Sequence, residues 1–182
     1  MLELLRKLNE LKRTPRVGWA SCSIPLPLFE DVAQHTFEVA SLSLLLSRGL
    51  GLNELKVLKM AIVHDWPEAL VGDISYSATA YLGKETKNKA EEKALQNLLG
   101  DRKELLEVWK EFKENRTLES RLVHFCDYFA ILIQALYYFE GGNRSPGLKE
   151  LCNNVKGDLE PYFSTFPQFR SLVNQVLALL KF

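Results

Sequence analysis

The chain has 182 residues, 47% of them hydrophobic, and equal numbers of basic and acidic side chains, 23 of each. That length and apolar share suit one domain with a single sizeable core. A formal net charge of zero excludes the broad basic field that drives binding to nucleic acid polymers, while leaving a small charged ligand open.

The first stretch, MLELLRKLNELKR, is amphipathic and charged, without the apolar run and small-residue site of a secretory signal. No other stretch reads as long and apolar enough to span a bilayer. The three cysteines, Cys22, Cys126 and Cys152, form neither a CxxC pair nor an even set, which fits packed thiols in a reducing interior. The expectation is a soluble, cytoplasmic protein with no membrane partner. Leu4, Leu5, Leu8 and Leu11 recur at helical spacing and predict a helix over residues 2–13, which Pro15 helps to end. In the connector RTPRVGWASCSIPLPLF, Pro15, Pro25, Pro27 and Gly18 oppose regular structure, and Trp19 stands among them without a core period.

From Val32 to Leu50 the pattern is helical again, with Phe37, Ala40, Leu44 and Ser47 along one stripe and Gly49 and Gly51 as the stop. Asn53 is a good cap for the next helix, which carries Leu55, Leu58, Ile62 and Val63 and runs into His64 and Asp65. Pro67 cannot donate to the Val63 carbonyl, so it kinks or ends that helix, and a loop through Gly72 follows. Residues 84–99 and 101–115 predict two charged amphipathic helices divided by Gly100, with Lys87 and Glu91 as a surface pair. The longest helix spans 117–140, from a Thr117 cap to Gly141 and Gly142. It is apolar nearly all round and therefore buried, yet it contains Asp127. Two more helical patterns lie around 147–160 and 168–181. No stretch alternates with period two, and no glycine-rich phosphate loop follows a strand. The prediction is an all-α fold, a single domain over residues 1–182.

The stretch AIVHDWPEALVGDI crowds acids against an apolar helix end. A buried carboxylate needs a partner or a metal, and His35, His64, Asp65 and Asp127 answer that need together by sharing a divalent cation. Adjacent helical residues point about 100° apart, so His64 and Asp65 can flank a metal lying against their helix while His35 and Asp127 approach from two others. Two imidazoles and two carboxylates suit Mn, Co, Fe, Ni or Zn. Glu68, four residues after His64, shares its face and reaches toward a water there, and Asp73 follows from the loop. A His-Asp pair alone is more often a helix-end ion pair.

The words EDVAQHTFEVA, HDWPEALVGDI and ESRLVHFCDYFAILIQALYYFE, with PRVGW before them, raise that reading. In order and spacing they resemble the HD-domain metal-dependent phosphohydrolases, and more closely their 5'-deoxynucleotidase subgroup, from about residue 5 to residue 140. The resemblance implies a single HD-domain helical bundle with His35, His64, Asp65 and Asp127 as ligands of a first metal (Mn, Co, Ni, Zn, Fe or Mg). It implies that Glu68 and Asp73 act on water or a second cation, with the Ile74 carbonyl as an extra ligand. Arg16 and Trp19 match the arginine and tryptophan that hold the phosphate and pack against the nucleoside, and Asp73 also stands among the substrate-binding residues. The implied reaction releases phosphate from a deoxyribonucleoside 5'-monophosphate. Many relatives of this kind are homodimers, and apolar faces on the C-terminal helices offer a place to pair.

Each residue also has a plainer reading: Arg16 a surface charge, Trp19 a plug over the core, Asp73 a helix cap, Glu68 an exposed partner of a lysine. His124 shares the helix face of Asp127 but lies outside the family pattern, and is read as a satisfied core histidine. Two departures stand out. Gln34 precedes His35 where relatives often carry an acid, which would loosen the orientation of the His35 ring. Trp66 and Pro67 replace smaller residues after the His-Asp pair, which would reshape the pocket. The alternatives are an HD-domain phosphohydrolase for another phosphorylated metabolite or a nucleoside triphosphate, and a non-catalytic helical binding protein with a structural metal.

Overall fold

The computed structural model describes residues 1–182 as ten α-helices joined by turns and short 3-10 segments, with no strand beyond an isolated bridge between Pro15 and Asp31. In chain order these are α1 (Leu2–Leu8), α2 (Val32–Ser47), α3 (Glu54–Val63), α4 (Glu68–Val71), α5 (Tyr76–Leu82), α6 (Lys84–Leu99), α7 (Lys103–Glu114), α8 (Leu118–Glu140), α9 (Pro146–Leu159) and α10 (Arg170–Leu179). Local chemistry fixes the starts. A capping box opens α2: Asp31 accepts the Gln34 N–H at 2.8 Å and Gln34 accepts the Asp31 N–H at 3.0 Å. Asn53 caps α3 by accepting the Lys56 N–H at 3.0 Å, and Thr117 caps α8. At the other end of α3, Pro67 leaves the Val63 carbonyl without its helical donor, and Trp66 supplies an N–H instead at 3.1 Å. The chain therefore turns after Val63 and restarts as the single turn of α4.

The long helix α8 is the axis of the core. Its buried Leu122, Val123, Phe125, Phe129, Leu132 and Ala135 meet α2, α3, α7, α9 and α10. Its mean hydropathy reaches 1.4, long and apolar enough by length and composition to cross a membrane, which corrects the expectation that no stretch is. The same property serves a central helix wrapped by others, which has no side to give to water. A smaller cluster of Val63, Leu95, Leu98, Leu99 and Trp109 sits under α6 and α7, and the half-buried Trp66 packs on it. That cluster absorbs the bulk of Trp66.

Several expectations need correcting. The first helix tightens to 3-10 over Asn9–Arg13, and α5 occupies part of the expected loop, capped by Ser75, which accepts the Ala78 N–H at 3.1 Å. On α2 the predicted stripe is split: Phe37 and Leu44 are 75% and 49% exposed, Ala40 is half-buried on the core, and Ser47 is buried together with Val32, His35, Val39 and Ser43. The inward face of α2 lies against both α3 and α8, and the site it serves needs polar atoms there. The C-terminal helices turn Leu148, Val155, Val173 and Val176 inward. Most large exposed apolar side chains lie elsewhere, Phe37, Leu45 and Tyr137 among them. All three cysteines are free and buried.

The segment after Arg16 is pressed against the start of α9. At Gly147 a β-carbon would stand 1.9 Å from the Ser21 carbonyl oxygen and 2.8 Å from its carbon, so only glycine fits this approach.

Candidate active site

The break after α3 presents His64. Its Nδ1 lies 2.8 Å from the Ala61 carbonyl, which can only accept, so Nδ1 carries a proton and Nε2 is the nitrogen left to face the cluster. The buried Trp109 donates its indole N–H to the His64 carbonyl at 3.0 Å and holds the turn from behind. From α2, His35 places Nε2 2.9 Å from Asp127 Oδ1 on α8. Donor atoms of His35, His64 and Asp127 all lie within 4.8 Å of one another. Asp65 Oδ2 joins them, 3.1 Å from His64 Nε2 and 3.9 Å from His35 Nε2, while accepting from Arg16 Nη1 at 3.0 Å.

This donor set fits a divalent cation. His64 Nε2 is buried without a hydrogen-bond partner, and buried polar atoms are rarely left so without a function. His35 Nε2 and the carboxylates of Asp65 and Asp127 gather around it, so two imidazoles and two carboxylates meet, the mix that first-row divalent ions prefer.

The electrostatics divide the acids. Burial works to raise the pKa of Asp65, but His64 and Arg16 outweigh it and hold the carboxyl well below the usual range. Burial also opposes ionisation of Asp127, yet His35 brings it down to about 2. Glu68 goes the other way: it is 5% exposed, burial pushes its pKa well above the ordinary value, and the charges of Asp65 and Asp73 add to the effect. Its Oε2 has no partner, so it is not an exposed partner of a lysine. Burial works against the Arg16 charge, but Asp65, Glu68, Asp73 and Asp127 together raise its pKa further. Asp73 does not cap a helix: its Oδ2 accepts the Val17 N–H at 2.7 Å and ties the connector to the loop before α5.

Other sequence-derived residues fall differently. The Ile74 carbonyl accepts from Lys87 Nζ at 3.1 Å. Lys87 and Glu91 are therefore no surface pair, since Glu91 is 4% exposed and also holds Lys113 at 2.6 Å. Sequence reasoning missed Lys87 at the site, because an i,i+4 pair with a glutamate is the usual sign of a solvated face. Trp19, expected against a nucleoside, is 3% exposed, edge-on to Tyr138, and donates its indole N–H to Glu30 at 3.2 Å. In this arrangement it supports Glu30 and offers no ring face to a ligand. Gln34 is occupied by the capping box, so it neither steadies nor loosens His35. His124 is satisfied as expected: Nε2 meets the Phe112 carbonyl at 2.8 Å, the ring stacks on Phe112, and burial lowers its pKa to about 4. A groove of about 1070 Å³ lies beyond Glu30, lined by Leu28, Phe29, Phe37, Leu42 and Tyr137, and none of the proposed metal ligands borders it.

The family model for the HD domain matches residues 8–165. The chain belongs to the HD domain family. It is similar to the mouse protein named 5'-deoxynucleotidase HDDC2, with 30% identity over 181 residues, covering 97% of this chain and 86% of that one. It is also similar to the Schizosaccharomyces pombe protein named 5'-deoxynucleotidase hdd1, with 31% identity and 92% and 91% coverage. Among solved structures, a conserved hypothetical protein from Pyrococcus furiosus superposes with a TM-score of 0.83 at 34% identity, covering 98% of this chain and 99% of that one. An HD domain implies dependence on a divalent cation, and the His35, His64 and Asp127 group supplies a place for one.

Proposed function

We propose that this HD domain is a 5'-deoxynucleotidase that hydrolyses deoxyribonucleoside 5'-monophosphates to deoxynucleoside and phosphate, with a divalent cation held by His35, His64, Asp65 and Asp127. One observation carries the reading: the imidazoles of His35 and His64 and the carboxylates of Asp65 and Asp127 come together, with His64 Nε2 left unpartnered, beside the half-buried Arg16. The names of the mouse and fission-yeast relatives support the substrate class.

The cation supplies charge that screens the phosphate and makes water more acidic. The chain's residues do the rest. Arg16, pre-positioned by its ion pair with Asp65, offers planar donors to the non-bridging oxygens. Asp73 takes the proton of the attacking water as its oxygen bonds to phosphorus. Glu68, whose ionised form burial disfavours, gives its proton to the 5' oxygen as the phosphorus–oxygen bond breaks. The Ile74 carbonyl, expected as a ligand of a second cation, is instead taken by Lys87 Nζ. Metal-stripped protein resupplied with Mn, Co, Ni, Zn, Fe or Mg is expected to release phosphate from deoxynucleoside monophosphates faster than from ribonucleotides or triphosphates. No release from any substrate with any metal would overturn the proposal.

Self-association as a homodimer belongs to the same proposal. It is supported by Phe37, Leu45 and Tyr137, which are 75%, 70% and 68% exposed. A cytoplasmic location is supported by three free buried thiols.

A further inference from the structure

Glu30 is a buried acid that the chemistry above leaves unused. It is 3% exposed, and unlike Glu91 it has no lysine or arginine in salt-bridge contact. Three bonds hold it in place. Its Oε2 accepts the Trp19 indole N–H at 3.2 Å, its own N–H donates to the Tyr138 hydroxyl at 2.9 Å, and its carbonyl accepts the Arg16 N–H at 2.9 Å. The remaining oxygen, Oε1, has no partner and lies 3.8 Å from His35 Nδ1, which also has none. Two orphaned, buried polar atoms face one another, about 0.6 Å beyond the usual hydrogen-bond range.

His35 can carry its proton on either nitrogen. On Nε2 it would donate to Asp127, 2.9 Å away, and spend the nitrogen that faces His64. On Nδ1 it would point at Glu30 and leave the Nε2 lone pair toward the cluster. A carboxylate behind a ligating histidine fixes the second state and makes the ligand more basic.

We propose that Glu30 is the positioning residue of His35, accepting the Nδ1–H hydrogen bond so that Nε2 is available to the cation. This rests on the reading of His35 as a metal ligand. It also gives Trp19 a task from inside the core: its indole N–H steers Glu30 so that the second oxygen meets the histidine. The PRVGW motif thereby acts on the metal site through Glu30. Gln34 stands next to His35 in sequence but is committed to the helix cap.

The test is the affinity of metal-stripped protein for Zn or Co, read by competition with a chromophoric chelator. Glu30→Gln keeps the shape and removes the charge, and is expected to bind about 10- to 100-fold more weakly. Leu159→Ala, which opens a cavity under α9, is expected to lower the melting temperature with metal affinity within about threefold. If wild type binds and Glu30→Gln binds equally well, the positioning role is overturned. If wild type itself binds neither metal, the proposed function fails instead. Should Glu30→Gln not fold, nitrogen-15 spectra of the Zn-loaded wild type decide: a slowly exchanging, strongly deshielded proton on His35 Nδ1 supports the role, and an unprotonated or freely exchanging Nδ1 overturns it.

Discussion

Glu68→Gln separates stability from catalysis. The wild-type carboxyl is 5% exposed with an unpartnered Oε2, and burial together with the charges of Asp65 and Asp73 disfavours its ionised form. Gln fills the same volume without a charge and turns a donor toward those acids. A buried oxygen without a partner costs about 1–3 kcal/mol, so the variant should be the more stable protein by about that amount when metal is chelated. At roughly 2–4 °C per kcal/mol for a chain of this size, the melting temperature rises by several degrees. The sign depends on pH. A carboxyl with a raised folded pKa costs nothing while both states are protonated. Its penalty grows as pH climbs above the ordinary 4.5, so the gap between variant and wild type opens with increasing pH. Phosphate release should fall about 10²- to 10⁴-fold, the usual worth of a general acid. Calorimetry in chelator and a phosphate assay with Mn read the two quantities. A variant that is less stable, or that keeps activity within about tenfold of wild type, would refute the reasoning.

Gly147→Ala must push the β-carbon against the Ser21 carbonyl and is expected to lose about 1–3 kcal/mol, whereas Gly157→Ala, in open space on the same helix, gains up to about 1 kcal/mol. Urea unfolding of both variants checks the contrast, and equal effects would mean that the close approach is relieved at no cost. Glu38 has its pKa pushed up to about 7 by burial, from an ordinary 4.5. The folded state therefore holds an extra proton across that window, and stability is lost as pH rises through it. Glu38→Gln should remove that part of the slope and, with the effect reduced by solvent around the half-buried side chain, stand of order 1 kcal/mol above wild type at about pH 8, measured by unfolding at several pH values.

Much of the architecture is written in short-range chemistry. The caps at Asn53 and Thr117 and the break at Pro67 act over three or four residues, and all three operate as the sequence predicts. The clustering of His35, His64, Asp65 and Asp127 was also legible, because few other arrangements let acids sit in apolar helices. What stayed hidden depends on partners distant in sequence. A stripe through Phe37 and Leu44 fits a 3.6-residue period as well as the inner face through Val32, His35, Val39 and Ser43 does, and packing against α3 and α8 selects the latter. Lys87 reads as a surface charge until the Ile74 carbonyl is placed above it. Trp19 and Glu30 gain meaning only when Tyr138 closes over them, 108 residues along from Glu30.

The contacts at the site bridge long stretches of chain: Arg16 to Asp65 across 49 residues, Val17 to Asp73 across 56, His35 to Asp127 across 92. No fragment of the polypeptide holds the whole donor set. A cation held by His35, His64, Asp65 and Asp127, as proposed, would find its full donor set only once α8 has docked, and its affinity would stabilise the finished fold rather than any local turn.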